Sequence, residues 1–364
     1  TVQKGYFVGF DDGTFKPENN VSRAQAITLI IRILNLEEDV SAYPFNDQGA
    51  KWAHGYIGAA HKHGILNKND YGANFNPDRA ITRAELAKWL SNALAYVNKE
   101  YGQAIHSTKD TLLPIPEYYT NRIKKEDIPY VAVMMGTGIM TGFENKEWRP
   151  NNSTTRAQMA TVLLRLEDAM KKKPQDFFHL RELMAVGETG TNIEVTTVYR
   201  VARNEVFANV RNKPIDMRLG GGQLFVNRII ALDEPVNGKY KSIYANMFIG
   251  SKTDFSHIKD IYLIFVEKRL KATKPLDSNY FSNYYSQRSI YQFLNGFNWD
   301  HGEEDLFGLN IQRRNENFEV FMKRINNAPY WENTYLNGEK TPGISPYTIE
   351  ANDGSIFVVT KKRE

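Results

Sequence analysis

The sequence predicts an all-α module of pseudo-threefold repeats followed by an α+β domain around a mainly antiparallel sheet. Three observations carry this. One helix start recurs at Ser22-Arg23-Ala24-Gln25, Thr82-Arg83-Ala84-Glu85 and Thr155-Arg156-Ala157-Gln158. An aromatic-x-Pro triplet precedes each copy, at Phe15-Lys16-Pro17, Phe75-Asn76-Pro77 and Trp148-Arg149-Pro150, with Arg always six residues after Pro. Beyond Asn192 the texture changes to short alternating runs bounded by Gly, Asn, Pro and Asp, the pattern of strands and turns.

In each copy a Ser or Thr is followed three residues later by Glu or Gln and then by an apolar helical run. That is the capping box, in which hydroxyl and carboxyl or amide satisfy reciprocal backbone donors. The helices run from Arg23 to about Leu36, Arg83 to about Tyr96 and Arg156 to about Met170. Aligned, they place Ala26, Leu86 and Met159 at one position, Ile30, Leu90 and Leu163 a turn later, and Ile33, Ala93 and Leu166 beyond. Each therefore bears an apolar stripe that it cannot bury alone, so the three pack together with their Pro loops outward.

The first repeat, residues 1–40, starts almost in mid-motif, since Lys4-Gly5-Tyr6-Phe7 reads as the end of a leading helix. A bundle of this kind needs three leading helices and two are evident, so the expectation is that the chain is trimmed at its start; the alternative is that the exposed face of the Arg23 helix is covered by the second domain or by another subunit. Residues 41–97 form a complete second repeat, with Phe45-Asn46-Asp47, Trp52, and a helix through Tyr56, Ile57 and Ala60 ending at Gly64-Ile65. Residues 98–125 are polar and Tyr-rich and read as an inserted surface loop. Residues 126–173 form the third repeat, from Ile128-Pro129-Tyr130 through Gly138-Ile139.

The repeated Arg is chemically unusual, because the first turn of a helix is the positive end of its macrodipole and favours acids. One reading makes it a ligand group: a guanidinium beside unpaired helix N–H groups is an anion site, and its planar fork suits a carboxylate. The other makes it structural, bonded to Pro-loop carbonyls or a neighbouring acid.

In order, Phe-x-Asp, Trp, Gly-Ile, Gly-Phe-x-Asp-Gly-x-Phe-x-Pro and Thr-Arg-Ala-Glu resemble the S-layer homology repeats of bacterial surface proteins, over about residues 1–173. The resemblance implies a pseudo-trimeric helical module that docks non-covalently onto secondary cell-wall polysaccharide, typically a pyruvylated N-acetylmannosamine held between neighbouring repeats. It implies Arg23, Arg83 and Arg156 as groove residues, lined by Asp11, Gly13, Gly72, Gly142 and Trp52. Only the first repeat keeps Gly-Phe-Asp-Asp-Gly. The second has Asn67-Lys68-Asn69-Asp70-Tyr71-Gly72 and the third Gly142-Phe143-Glu144-Asn145-Lys146-Glu147, where two acids oppose an anionic ligand. Trp52 has a packing reading beside its sugar-platform one.

Composition sets bounds. In 364 residues, 46 basic against 42 acidic side chains give a formal charge of +4, too near neutrality to indicate nucleic acid. The absence of cysteine excludes disulfides and thiolate zinc sites, and fits either a reducing cytosol or a secreted protein of a Gram-positive bacterium. No apolar run reaches membrane-spanning length, and the start lacks a signal-peptide pattern. Neither a metal nor a cofactor motif is evident: Asn67, Asn69, Gly72 and Asp78 fall near calcium-loop spacing, but Tyr71 takes a ligand position.

After Lys171-Lys172-Lys173-Pro174 a linker is expected, and residues 174–364 form the β-rich domain. Strands are expected at Ile193 to Val201, Glu205 to Val210, Gln223 to Leu232, Tyr240 to Phe248, Asp260 to Val266 and Ser355 to Thr360. Helical spacing returns from Tyr284 to Phe297 and from Asn317 to Asn327. His179, His257 and His301 are isolated, and Gly220-Gly221-Gly222 lacks the Lys-Ser/Thr of a phosphate loop and reads as a turn. The aromatics from Tyr280 to Trp299 suit a core or a contact surface. The expected function is a non-enzymatic, wall-anchored surface protein whose second domain acts as a structural or self-assembly unit. The alternative is a wall-anchored enzyme centred on Asp300, His301, Glu303, Glu304 and Asp305, which otherwise read as a solvated loop.

Overall fold

A computed structural model of the chain describes residues 13–202, 205–233, 240–249, 261–274, 307–311, 316, 318–326, 328–337 and 347–362. Asp11, the acidic group from Asp300 to Asp305, His257, His301 and the aromatics from Tyr280 to Trp299 lie outside the described residues, as does the helix expected from Tyr284 to Phe297. By contacts the chain divides into Thr1–Lys109 with Arg122–Arg181, and Asp110–Asn121 with Glu182–Glu364.

The first unit is helical. Helices α1 (Arg23–Ile33), α3 (Arg83–Val97) and α7 (Arg156–Ala169) are the three trailing helices of the repeats, and each starts in the full capping box that its sequence specifies. Helices α2 (His54–Lys62) and α6 (Ile128–Thr137) are leading helices, and Gly64 and Gly138 just past them take φ of +73°. That left-handed geometry ends a helix without the penalty a Cβ would bring. Helix α1 stops three residues before Leu36 because Asn35 turns to φ +53°.

The three repeats close into a ring through their backbones. Val21 N–H donates to Thr154 O at 2.9 Å, Thr154 N–H to Ile81 O at 3.1 Å, and Ile81 N–H to Val21 O at 2.9 Å. Val21, Ile81 and Thr154 are fully buried, each immediately ahead of a helix cap. Around this triangle every trailing helix leans on the Pro loop of the next repeat. Arg23 and Ala24 N–H donate to Arg79 O and Pro77 O, Arg83 and Ala84 to Asn152 O and Pro150 O, and Arg156 and Ala157 to Asn19 O and Pro17 O. The first orphan donors of each helix thus find carbonyl partners, which an isolated helix cannot supply.

Three expectations for residues 1–189 are corrected. The face of the Arg23 helix expected to need a missing helix, the second domain or another subunit to cover it is covered by the second repeat: α2 packs against α1, and Ala24, Ile27 and Ile31 are wholly buried. Residues 98–125 are not an irregular loop, since they carry α4 (Lys99–Ser107) and α5 (Pro116–Tyr119). Tyr101 of α4 is buried, its hydroxyl donating to Ala169 O and Lys172 O at 3.1 Å. Nor does Pro174 open a linker: a 3-10 turn over Pro174–Asp176 leads straight into α8 (Phe178–Thr189), with Leu180, Leu183 and Val186 buried.

The second unit holds two antiparallel sheets. One has the order β1 (Tyr199–Val201), β7 (Ile356–Lys361), β6 (Tyr347–Glu350); the other β2 (Ile215–Asp216), β3 (Gly222–Ala231), β4 (Ile261–Ala272), β5 (Tyr330–Asn337). A shared core contains Tyr199, Val226, Ile229, Ile264, Val266, Ile349, Phe357 and Val359. Helix α10 (Phe318–Arg324) covers Leu224, Leu270 and Tyr330, in the place where helical spacing returns in the sequence. The expected strands at Glu205 to Val210 and Tyr240 to Phe248 are instead a 3-10 turn at Phe207–Asn209 and the short helix α9 (Ala245–Phe248). Of Ile193 to Val201 only β1 is extended, after a 3-10 turn at Ile193–Val195. Gly220-Gly221-Gly222 forms the turn into β3, where a Cβ on Gly222 would lie 2.2 Å from Lys271 O.

Candidate functional site

The ring sets each Arg against the loop of the following repeat, and the three junctions share one plan. Arg23, Arg83 and Arg156 are 5%, 6% and 8% exposed. Arg23 Nη1 donates to Phe75 O at 2.6 Å, Arg83 Nε to Trp148 O at 2.8 Å and Arg156 Nε to Phe15 O at 2.8 Å. Each guanidinium also lies over the ring of the same aromatic, at 5.8 Å from Phe75, 4.7 Å from Trp148 and 4.7 Å from Phe15. The aromatic of the aromatic-x-Pro triplet therefore supplies both a carbonyl and a π face, a combination suited to a weakly hydrated planar cation. Burial pulls the pKa of Arg156 below the ordinary arginine value.

The loops are held in a conformation that few non-glycine residues adopt. Lys16, Asn76 and Arg149, each directly before Pro, have φ of +50°, +52° and +57°. A turn bond closes each loop, from Asn19 N–H to Lys16 O, Arg79 N–H to Asn76 O and Asn152 N–H to Arg149 O. In the second repeat the Phe-x-Asp carboxylate adds support, since Asp47 accepts from Phe75 N–H at 3.2 Å, Asn76 N–H at 2.7 Å and Tyr43 Oη at 3.0 Å. Burial and then that carboxylate push the Tyr43 phenol up.

The junctions differ in charge. At the first, Glu85 Oε1 accepts from both Nε and Nη2 of Arg23, while Oε2 accepts from the Thr82 N–H at 3.0 Å and hydroxyl at 2.9 Å. One carboxylate thus caps α3 and neutralises Arg23, whose guanidinium also sits 4.8 Å from the Tyr71 ring. The residues aligned with Glu85 are Gln158 and Gln25. At the second junction Arg83 Nη2 donates to Thr141 O at 2.8 Å, with the Phe143 ring 4.9 Å away.

Of the predicted lining residues the three glycines fall on these loops, while Trp52 lies in the 3-10 turn Lys51–Ala53. Gly72 adjoins Tyr71 at the Arg23 junction, Gly142 lies between Thr141 and Phe143 at the Arg83 junction, and Gly13 lies two residues before Phe15 at the Arg156 junction. Gly13 and Gly72 have φ of +75° and +68°, and a Cβ on either would meet nothing within 4 Å. In the third repeat Lys146 takes φ +66° without a glycine. Trp52 is 57% exposed. Glu147 faces Arg149 at 3.0 Å and Arg122 at 3.7 Å, and its bonds from Asn145 and Arg149 hold its carboxyl below the usual range, so its charge is largely answered locally.

The backbone half of the anion-site expectation fails. The N–H groups at the first turn of α1, α3 and α7 are occupied by loop carbonyls and cap side chains, so an anion here would meet side chains and not a helix terminus. Sequence reading missed Tyr71, Phe143 and the Glu85 to Arg23 link. The available signal was the lone acid among three aligned capping residues. Among the described residues no group of three or more His, Cys, Asp or Glu side chains is placed to hold a metal ion, and no helix is long and apolar enough to cross a membrane.

Residues 1–27, 44–87 and 122–160 match the S-layer homology domain family. The chain is 29% identical over 206 residues to the S-layer protein EA1 of Bacillus anthracis, covering 56% of this chain and 22% of that one. It is 33% identical over 176 residues to an S-layer protein of Bacillus licheniformis, with 48% and 18% covered. An S-layer protein of Bacillus thuringiensis subsp. finitimus is 29% identical over 167 residues, with 46% and 19% covered. The chain spans about a fifth of the length of these relatives.

Proposed function

From the membership of its N-terminal half in the S-layer homology family, we propose that this chain is held at a bacterial cell surface by its three-repeat ring, which docks non-covalently onto secondary cell-wall polysaccharide. The ligand class is a pyruvylated amino sugar, as the family resemblance implies, and the bacterium is Gram-positive. The observation that carries the reading is the threefold recurrence of a guanidinium stacked on an aromatic ring beside a glycine-bearing or turn loop. The rings of Phe75 and Trp148 are themselves buried, so a ligand would meet the loop edge and the guanidinium, a cation suited to the pyruvyl carboxylate. Exposed Trp52 adds a sugar platform on the second repeat.

The second unit acts, in this proposal, as a structural or assembly unit of the surface layer and not as an enzyme. Two of its buried acids support this, because they are occupied in holding the fold together. Glu182 accepts from Asn192 Nδ2, Ser242 Oγ and Ile243 N–H, and Asp233 from the N–H groups of Thr197 and Val198.

Co-sedimentation with purified cell walls tests the anchoring. The chain pellets with native walls and stays in solution with walls stripped of secondary polysaccharide. Trp52→Ala weakens pelleting without altering the helical circular dichroism. Equal pelleting with both wall preparations would contradict the proposal.

A further inference from the structure

The second unit carries a charged patch on the sheet face turned away from its core. Strand β3 has a bulge at Asn227, where the pairing steps from Val226 opposite Lys268 to Arg228 opposite Glu267. Strict alternation would send Val226 and Arg228 to one face. The extra residue instead lets Val226 and Ile229 both enter the core and turns Arg228 to the other side. Glu267 faces that side too, since its neighbour Val266 is in the core. The two meet across the strands, with Arg228 Nη1 donating to Glu267 Oε2 at 2.6 Å.

The bulge also fixes a second guanidinium there. Arg211 Nε donates to the carbonyl of Asn227 at 3.0 Å. The same Nε lies against Gly190, whose φ is +85° and where a Cβ would come within 2.8 Å of it, so glycine is what admits the arginine. Arg211 and the Tyr118 phenol of α5 lie in the fields of the same three charges, Arg228, Glu267 and Asp110, and all of these residues belong to the second unit. Burial, and then the like charge of Arg228, pull the pKa of Arg211 below the ordinary arginine value. Donors outnumber acceptors in the patch. Arg228 Nε is buried without a hydrogen-bond partner, and neither Nη of Arg211 has an acceptor among the described residues. Two guanidinia share one largely buried carboxylate, while Asp110 is exposed.

We infer that this patch is a binding site for a small carboxylate monoanion, received by the two Nη groups of Arg211 beside the Arg228 to Glu267 pair. The planar fork of a guanidinium held by its Nε presents two parallel donors, the geometry that a carboxylate accepts bidentately. Charge selects the class. One negative charge balances the second guanidinium, whereas a dianion such as phosphate would bring excess charge against Glu267 and Asp110. The inference is independent of the proposed wall-polysaccharide binding, whose residues lie in the first unit.

Arginine side-chain NMR of the full chain tests it, with sodium acetate as the probe and sodium chloride at equal ionic strength as the control. The Nε–H resonance of Arg211, assigned by its loss in Arg211→Lys, should shift saturably with acetate and stay in place with chloride. Followed through the Arg228 resonance, Arg211→Gln should weaken acetate binding at least about tenfold, the equivalent of one charge-assisted hydrogen bond. Arg211→Lys, which keeps the charge but not the fork, should also weaken it. Inorganic phosphate should bind less tightly than acetate. A wild-type response to acetate that is linear, or that chloride reproduces, would overturn the inference, and this titration decides even if neither variant folds. Undiminished acetate affinity in folded Arg211→Gln would overturn it as well. Tighter binding of phosphate than of acetate would defeat the carboxylate assignment.

Discussion

The Arg23 junction and the Arg83 junction are built on one backbone plan, and at the first a carboxylate, Glu85, is bonded directly to the arginine. Glu85 sits where an anionic ligand group would have to approach Arg23, bonded to two of its donors, whereas Gln158 holds the aligned position beside the Arg83 loop. The difference teaches that repetition of a scaffold does not imply repetition of a site. A ligand carboxylate must compete with Glu85 at the first junction; the residues aligned with it at the others are Gln158 and Gln25. The proposed sugar binding is therefore expected to be unequal around the ring.

The largest effect should come from Glu85→Ala set against Gln158→Ala. Removing Glu85 breaks a cap and leaves Arg23 almost buried without its carboxylate, so it should cost about 3 kcal/mol, mid-range between a cap and a buried pair. Gln158→Ala loses only its part in a capping box and should cost about 1 kcal/mol. Urea unfolding followed by helical dichroism measures both. Equal costs would show that the Arg23 to Glu85 pair adds nothing.

A smaller effect of opposite sign is expected at the centre of the ring. Val21 and Ile81 are apolar, while the third member, Thr154, buries a hydroxyl with no hydrogen-bond partner among the described residues. Thr154→Val keeps the shape and removes the desolvated oxygen, so it should stabilise by about 1 kcal/mol. A lower urea midpoint in this variant would mean that the hydroxyl has a partner after all.

These contrasts also explain what the sequence could disclose. Capping boxes and Pro loops are local, so α1, α3 and α7 were readable residue by residue from Ser22, Thr82 and Thr155. Which loop meets which Arg is a matter of ring closure across more than fifty residues, as in the Arg23 to Phe75 bond, and no local pattern encodes it. Helix α4 escaped notice because its surface is polar and its anchor, Tyr101, acts through distant carbonyls. Glu205 to Val210 alternates like a strand but becomes a 3-10 turn, since strand preference depends on finding a ladder partner. Of the candidate site, the Arg positions and glycine loops were legible. The counter-charge at Glu85 was disguised as a cap.

The smallest expected effect lies on the surface, where Lys62 and Ser41 hold the Asp39 carboxyl down to about 2 from 3.8. A depressed carboxyl stabilises fully above its unfolded value and loses that contribution as pH falls through the folded one. Asp39→Asn should therefore be indistinguishable in acid near pH 2 and slightly less stable from pH 5 upward, with high salt erasing the gap. A gap that widens toward pH 2 would contradict the sign.

Binding by titration calorimetry to purified secondary wall polysaccharide, native and chemically depyruvylated, tests the central claim most directly. The account predicts measurable binding to the native polymer, loss of most affinity on depyruvylation, and a deeper loss from Arg83→Lys, which keeps the charge but not the planar fork, than from Arg23→Lys. Equal affinity for the two polymers would contradict it.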